Sequence, residues 1–330
     1  MYCAGIVAIL AFLDLARLPG HNHMWREITD FGHTPLFGVL SLIILGFFTL
    51  ILGDSKTNRV YLYLAAFVTT TILGVITELL QIVGPRDADL WDIVRNIEGA
   101  ASFLALYVFV DRRVVKGTGI LTKFRKHISI AGIIIFILSL VPTILWGATY
   151  FKRNALYPRI IVFDSSLFFR FLDTNYARLK AVDPPKEFAS AVGEKVGKLT
   201  VYPGDYCGFE MEEPFPNWFH AHILEFNVYV PKDTTFSLSI RIDDKEHNLE
   251  FTDRYTGAFM LHQGENKISI PVGEIERAPE TRHADIRNID YIFVFVYKPF
   301  ESFDIYFDEF ILKSHPNENM GLPESISTHP

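Results

Sequence analysis

The first 150 residues contain apolar runs that are close to, or above, the length needed to cross a lipid bilayer. A spanning helix needs roughly 20 predominantly apolar residues, and three of the runs reach that length. Because a hydrocarbon core offers the backbone no hydrogen-bond partner, such runs must fold as helices. The expected helices cover residues 2–18, 34–53, 60–83, 93–110 and 128–150. The sequence therefore predicts an all-α transmembrane bundle over residues 1–150.

After residue 150 the pattern changes to short segments rich in β-branched and aromatic residues, separated by turn signals. The clearest expected strands are 223–230, 235–242, 267–272, 291–297 and 303–313. Short strands at this spacing are typical of an antiparallel sandwich of jelly-roll type. We therefore predict a multi-domain chain in which an all-β sandwich at 154–315 follows the bundle and residues 316–330 form a loose tail.

The lysines and arginines of the first half cluster in two segments, 54–59 and 111–127, that lie between apolar runs. The positive-inside rule places these segments in the cytoplasm. Five crossings then leave the N-terminus in the cytoplasm and everything after Tyr150 outside it. The first run lacks the basic start of a signal peptide, so we expect it to be retained. The bilayer is an expected partner, whereas a net charge of −7 argues against nucleic acid.

Polar and ionisable residues crowd the stretch 77–99, between the third and fourth apolar runs. Glu78 and Gln81 are three residues apart on one helix, and Asp92 and Asn96 are four apart on the next, so each pair shares a helix face. A carboxylate inside a membrane is costly unless it is paired, faces the bundle interior or meets water. We therefore expect a polar site at the outer face of the bundle.

The second run contributes Asp30 and His33 at its outer end, so they are expected to join the same site. In one hypothesis the site binds a lipid-linked or membrane-proximal group, contacted by residues Asp30, Gln81, Arg86 and Asn96. In a second, the chain is a membrane enzyme acting on a lipid-linked cell-wall precursor. Glu78 would then be its general acid/base, with His33 as proton partner, Asp92 beside them and Arg86 holding a phosphate or carboxylate. In a third, the polar groups only fix helix packing and the bundle is a structural anchor.

Other chemistries find no support in the sequence. The two cysteines, Cys3 and Cys207, form no CxxC motif, and the histidines match no metal-ligand spacing. There is no G-x-S-x-G segment that would indicate a nucleophile elbow. The sequence therefore predicts no metal site and no cofactor, and it leaves open whether the chain is an enzyme.

The polar residues of the bundle also form an ordered set of short motifs. These are D-x-x-H at Asp30 and His33, E-x-x-Q at Glu78 and Gln81, and R-x5-D-x3-N-x2-G at Arg86, Asp92, Asn96 and Gly99. The set resembles the VanZ-like family of bacterial membrane proteins over about residues 15–110, although Phe31 stands where that family often has a basic residue. The resemblance implies a membrane protein of the bacterial cell envelope, and together with the charge bias we expect the cytoplasmic membrane with an extracytoplasmic second half. It also implies a link to cell-wall metabolism or to low-level glycopeptide resistance.

The second half has a resemblance of its own. Segments such as NWFHAHILEFNVYVP, RIDDKEHNLEFTDRY and FDEFILK resemble the jelly-roll, carbohydrate-binding-like domains appended to envelope proteins and glycosidases. The recurring polar or aromatic positions of that pattern are Trp218, Asp243, His247, Asp253, Arg254 and Arg282. The resemblance implies a glycan partner, whereas the alternative is that these residues stabilise the fold. We predict a cell-envelope membrane protein with a glycan-binding-like outer domain.

Overall fold

A computed structural model describes residues 22–52, 58–82 and 89–314. The expected helix at 2–18, the tail at 316–330 and Arg86 lie outside these residues. The chain divides into two compact units, Met1–Gly147 and Ala148–Pro330.

Helices make up the described part of the first unit. They are α1 (His23–Ile51), α2 (Arg59–Gln81), α3 (Leu90–Val110), α4 (Arg112–Lys116) and α5 (Ile120–Leu156). Four of the five, all but α4, are long and apolar enough to cross a membrane. The helices α1 and α5 extend beyond the apolar runs at 34–53 and 128–150, because an apolar run marks only the segment that suits lipid. The backbone remains helical through the polar residues that follow or precede it.

Side-chain caps define where three of the helices begin. Asn22, Asn58 and Asp89 each accept a hydrogen bond from a backbone N–H in the first turn of α1, α2 and α3, at 2.9–3.0 Å. Such caps satisfy donors that a helix leaves without an internal partner.

The helices α1 and α3 approach each other closely at Gly99. A Cβ atom at this position would lie 2.1 Å from the carbonyl oxygen of Thr34 on α1. A little further along the same pair, a Cβ on Gly38 would meet the ring of Phe103 at 2.4 Å. Small residues at such crossings let two backbones pack together. This contact fixes α1 against the first turns of α3, where the polar residues of the bundle lie.

The second unit consists of antiparallel strands in two sheets. The strands are β1 (Arg159–Ile161), β2 (Leu172–Asn175), β3 (Ala177–Val182), β4 (Val196–Val201), β5 (Tyr206–Glu212), β6 (Ile223–Val230), β7 (Phe236–Asp244), β8 (Tyr255–Leu261), β9 (Gly264–Pro271), β10 (Ile289–Tyr297), β11 (Phe303–Phe307) and β12 (Phe310–Lys313). A short helix, α6 (Val272–Arg277), follows β9. One sheet has the order β1-β12-β6-β11-β4-β3 with β9 also paired to β6, and the other has the order β2-β5-β10-β7-β8. The predicted fold class, a helical bundle followed by an antiparallel β domain, is confirmed.

The two sheets meet in an aromatic core. The ring of Phe209 on β5 lies 5.3 Å from that of Phe307 on β11 and 6.2 Å from that of Phe310 on β12, measured between centroids. All three side chains are buried. Since β5 belongs to the five-stranded sheet and the other two strands to the seven-stranded sheet, this face of each sheet forms the interior. The opposite face of the five-stranded sheet is left to carry the residues described below.

Candidate functional site

Three titratable side chains from three different helices meet inside the bundle. His33 on α1, Glu78 on α2 and Asp92 on α3 each offer a ligand-type atom, and these atoms lie within 4.8 Å of one another. None of the three residues is more than 8% exposed. The convergence that the sequence analysis expected from helix spacing is therefore present as a compact, buried cluster.

The imidazole of His33 is held from both sides by groups on α3. Its Nδ1 lies 3.1 Å from Oδ1 of Asn96, and its Nε2 lies 3.5 Å from Oδ2 of Asp92. An amide oxygen only accepts, so the contact with Asn96 places a proton on Nδ1. In the neutral ring the lone pair of Nε2 then points toward the carboxylate. Asn96 thus fixes both the tautomer of His33 and the direction in which its free nitrogen faces.

Arg95 links the cluster to Asp30. Its guanidinium lies 3.0 Å from Oδ2 of Asp30, 3.2 Å from Oδ1 of Asp92 and 3.6 Å from Oε2 of Glu27. Arg95 was not among the predicted site residues. Its position three residues after Asp92 on the same helix face did indicate that the two side chains could pair. Arg95 joins α1 to α3 and orients the Asp92 carboxylate.

Two further residues, Gln81 and Arg86, were predicted for the bundle site. Gln81 is buried on α2, three residues after Glu78, on the face that the two were predicted to share. Arg86 lies outside the described residues. The bundle site therefore consists of His33, Glu78, Asp92 and Asn96, with Asp30 attached through Arg95.

In the β domain, Trp218 is part of the interior. Its side chain is 0% exposed, and its indole N–H donates a 2.7 Å hydrogen bond to the carbonyl oxygen of Phe215. In this position the indole ring presents no surface on which a sugar could stack. The resemblance suggested a glycan contact here, and the structure instead assigns the residue to packing.

Arg282 belongs to a buried ionic network. Its guanidinium donates to both oxygens of Asp244 and of Asp253, at 2.5–3.0 Å. Burial would raise the pKa of Asp244, but hydrogen bonds from Arg282 and from the backbone of Asp285 outweigh it and hold that pKa below its usual value. The hydrogen bonds from Arg282 likewise lower the pKa of Asp253. Both aspartates are buried, so the network ties β7 to the loops that contain residues 253 and 282.

A row of aromatic side chains lies on the outward face of the five-stranded sheet. We call this surface the aromatic face. Its members are Tyr206 on β5 and Tyr291, Phe293, Phe295 and Tyr297 on β10. Alternate residues of β10, such as Ile292 and Val294, point into the core and are at most 1% exposed. On the outward side Phe293 and Phe295 are each 8% exposed, whereas Tyr206 and Tyr297 are 48% and 53% exposed, so the accessible rings lie at one end of the row. Ring centroids of neighbours on the face are 4.7–6.4 Å apart, so the row is continuous.

Polar groups border the aromatic face. The hydroxyl of Tyr291 donates to Glu210, and the guanidinium of Arg241 lies over the Tyr291 ring at 5.1 Å. Burial, together with the hydrogen bond to Glu210, raises the pKa of Tyr291 well above its usual value. Arg241 also donates from Nε to the carboxylate of Asp243 at 2.9 Å. Asp243 was singled out in the sequence, whereas Glu210, Arg241 and the aromatic row were not.

Arg254 differs from Arg241 and Arg282 in the hydrogen bonds that its guanidinium donates. Its Nε is buried and has no hydrogen-bond partner in the part of the chain that the structure describes. Burial, reinforced by the nearby charge of Arg241, lowers the pKa of Arg254. The guanidinium lies over the ring of Phe251 at 5.0 Å. This residue therefore offers a hydrogen-bond donor beside the aromatic face.

An open cavity of about 680 Å³ adjoins one end of the aromatic face. Its walls include Tyr297 from β10 and Ser237 and Ser239 from β7, together with Phe300 from the loop before β11. Cavities of this size accommodate small molecules or short oligomers. The hydroxyl-bearing walls and the exposed rings together form a concave surface with both apolar and hydrogen-bonding groups.

No family model matches the chain, and no curated protein matches its sequence. Similar solved structures include a family 11 carbohydrate-binding module from Clostridium thermocellum in complex with a β-1,3-1,4-mixed-linked tetrasaccharide. It has 14% identity, covers 48% of this chain and 95% of its own, and has a TM-score of 0.36. An exo-β-agarase has 12% identity, covers 48% of this chain and 25% of its own, and has a TM-score of 0.39. A family 30 module of a Clostridium thermocellum cellulosomal cellulase has 12% identity, covers 48% and 98%, and has a TM-score of 0.30. These identities and TM-scores are low, so the likeness carries no argument about what this chain binds.

Proposed function

We propose that this chain is a membrane-anchored glycan-binding protein of the cell envelope. The observation that carries this proposal is the aromatic face, a continuous row of rings bordered by polar side chains and ending at an open cavity. Flat amphipathic rings pack against the C–H faces of sugars, and carboxylate, guanidinium and hydroxyl groups bind sugar hydroxyls. A surface of this composition suits a glycan that stacks on Tyr206 and Tyr297 and extends into the cavity beside Tyr297.

The two guanidinium groups beside the face favour a glycan that carries acidic groups. Arg241 is paired with Asp243, but the Nε of Arg254 has no partner in the described residues, and the charges of the two arginines disfavour each other. A carboxylate bound at the exposed part of the Arg254 guanidinium would offset that repulsion. We therefore infer a preference for acidic over neutral sugars.

Anchoring is assigned to the apolar helices. Four of them have the length and composition to cross a bilayer, and the basic segments 54–59 and 111–127 favour a cytoplasmic position for the ends that they flank. In this proposal the β domain lies outside the cytoplasmic membrane, where envelope glycans are found. The motif set of the VanZ-like resemblance supports a bacterial envelope setting and a role in cell-wall metabolism or glycopeptide resistance.

For the bundle we propose binding of a lipid-linked or membrane-proximal group, such as a cell-wall precursor. The meeting of His33, Glu78 and Asp92 in one buried cluster supports a functional site rather than an anchor alone. The alternative, a membrane enzyme that uses these residues for catalysis, rests on the same cluster. If Glu78→Gln abolishes the cellular activity of the protein while the β domain still binds glycan, the bundle has a role separate from glycan binding.

The glycan proposal is tested by calorimetric titration of the full-length protein in detergent with an oligogalacturonate and with a neutral mixed-linked β-glucan oligosaccharide. The variant Tyr206→Ala/Tyr297→Ala removes the two rings at the exposed end of the face. We expect each ring to contribute about tenfold in affinity, or about 1.4 kcal/mol. Arg254→Met should reduce binding of the acidic ligand and leave the neutral one unchanged.

Tyr202→Ala is the matched control, because Tyr202 is an exposed tyrosine on the loop after β4 and is not part of the aromatic face. Equal binding by the control and the double variant would overturn the assignment of the glycan site. Equal losses for both ligands in Arg254→Met would overturn the preference for acidic sugars while leaving the site itself in place.

A further inference from the structure

We propose that His33, Glu78 and Asp92 form a binding site for one divalent transition-metal ion, with Zn²⁺ as the best fit. This site is independent of the proposed glycan binding, since it lies in the helical unit. The three ligands come from α1, α2 and α3, and they are separated by 45 and 14 positions in the sequence. No short spacing motif joins them, which is why the sequence predicted no metal site.

The distances agree with a shared ion. Nε2 of His33 and Oδ2 of Asp92 are 3.5 Å apart. Two ligand atoms on one tetrahedral zinc, each bound at about 2.1 Å, lie roughly 3.4 Å from each other. The third ligand, a carboxylate oxygen of Glu78, lies within 4.8 Å of a ligand atom on each of the other two residues. A small movement of the Glu78 side chain would complete a three-ligand site.

The groups behind the ligands are those that orient metal ligands in proteins. A metal-bound histidine donates its second ring N–H to an acceptor, and a ligating carboxylate accepts a further hydrogen bond. Here Nδ1 of His33 donates to Asn96, which turns Nε2 toward Asp92. Arg95 pairs with Oδ1 of Asp92, so Oδ2 of the same carboxylate faces His33. Nε2 of His33 and Oδ2 of Asp92 are thereby directed at each other, and both can coordinate one ion when the imidazole is neutral.

The chemistry of the donor set selects the kind of ion. The donor set joins an imidazole to two buried carboxylates, one of which is also paired with Arg95, and anionic oxygen ligands of this kind attract a divalent cation. One nitrogen and two oxygen ligands suit Zn²⁺, Mn²⁺ or Fe²⁺, whereas Ca²⁺ and Mg²⁺ prefer all-oxygen sites. Three protein ligands leave a fourth position for water or an anionic group. Such an opening would let the bundle hold a phosphate or carboxylate through the metal.

The test uses the full-length protein, purified in detergent without a histidine tag and treated with a chelator. It is then titrated with Zn²⁺, and separately with Co²⁺, whose visible absorption reports coordination. We expect one equivalent of Zn²⁺ per chain and an intense four-coordinate Co²⁺ spectrum. Glu78→Gln, Asp92→Asn and His33→Gln should each abolish stoichiometric binding. Asn96→Ala, which removes only the orienting group, should weaken binding by about 10- to 100-fold.

Asp111→Asn is the matched control. Asp111 is as buried as the ligands but lies at the other end of α3, where it accepts hydrogen bonds from Arg59 and Tyr63. This variant should keep full binding. Absence of stoichiometric metal in the wild type, or a six-coordinate Co²⁺ spectrum, would overturn the proposal. Equal loss in the Asp111 control would also overturn it, because metal retention would then report only the folding of the bundle.

Discussion

Replacing Trp218 by alanine distinguishes a packing role from a role in glycan binding. The residue was a candidate sugar contact by resemblance, yet its ring is enclosed and its N–H is bonded to the carbonyl of Phe215. If the structure is right, the change lowers the stability of the β domain and leaves the aromatic face intact. The folded fraction should therefore bind glycan as the wild type does.

The expected magnitude follows from the burial. Truncating a fully buried tryptophan to alanine costs about 3–5 kcal/mol, from lost transfer energy and from the cavity that remains. The change also leaves the carbonyl of Phe215 without its donor, which places the cost toward the upper end of that range. For a domain of this size, each kcal/mol lowers the unfolding midpoint by about 2–4 °C. We therefore expect the midpoint to fall by roughly 6–20 °C.

The free thiol of Cys207 provides the assay. The chain has two cysteines, Cys3 and Cys207, and the second is fully buried on β5. In a Cys3→Ser background, a maleimide can label the protein only when the β domain opens. Labelling during a temperature ramp, with membranes or detergent-solubilised protein, then gives the unfolding midpoint of this domain alone.

Two results would refute the reasoning. One is an unchanged labelling midpoint in Trp218→Ala, since a buried anchor cannot be removed without cost. The other is a loss of glycan binding, measured well below the midpoint, that equals the loss in Tyr206→Ala/Tyr297→Ala. Trp218→Phe is the graded control. It keeps most of the volume but not the N–H, and it should give a smaller shift than alanine does.

Three further predictions concern the ionic network, the helix crossing and the orientation. Arg282 lowers the pKa of its two aspartate partners, so the stability that it provides is present above their unfolded pKa of about 3.9 and is lost as the pH falls through the lower folded values. The difference in unfolding midpoint between wild type and Arg282→Met should therefore hold from pH 7 to about pH 4 and narrow below it. Circular dichroism follows the midpoint here, because maleimide does not label a protonated thiol, and a difference that stays constant below about pH 4 would contradict this. Gly99→Leu should prevent assembly of the bundle, because its Cβ would overlap the carbonyl of Thr34; wild-type monodispersity in detergent would argue against the crossing. A phosphatase fused after Tyr150 should be active only outside the cytoplasm, and activity of a cytoplasmic reporter there would reverse the orientation.

The sequence predicted the elements with strong periodicity or long apolar runs. The strands β6, β7, β9 and β10 lie within a few residues of their expected positions. The first three alternate apolar and polar side chains, and β10 is a run of β-branched and aromatic residues. The expected strand at 303–313 is divided into β11 and β12 by Asp308 and Glu309. Strands β1 to β5 and β8 were missed. Several are short or lie at a sheet edge, where exposed polar residues such as those of Ala177–Val182 weaken the pattern.

The polar cluster of the bundle could be predicted from the sequence and the aromatic face could not, for a physical reason. Helix spacing is regular, so Asp92 and Asn96 could be placed on one face, and the meeting with His33 and Glu78 followed from their similar depth. The aromatic face depends on which side of β10 points outward. In the run IDYIFVFVY both sides of the strand are apolar, so the sequence does not distinguish them. The outward side is defined only by the pairing of β10 with β5 and β7.

The distribution of the polar cluster over three helices has a consequence for how the bundle is made. When a ribosome delivers helices in order, α1 brings His33 and α2 brings Glu78 before α3 has been synthesised. The side chains of Asp92, Arg95 and Asn96 all arrive with α3, so a single insertion step completes the cluster. Before α3 is present, the ring of His33 lacks both of the side chains that hold it. The order of synthesis therefore makes α3 the helix that completes the polar interior of the bundle.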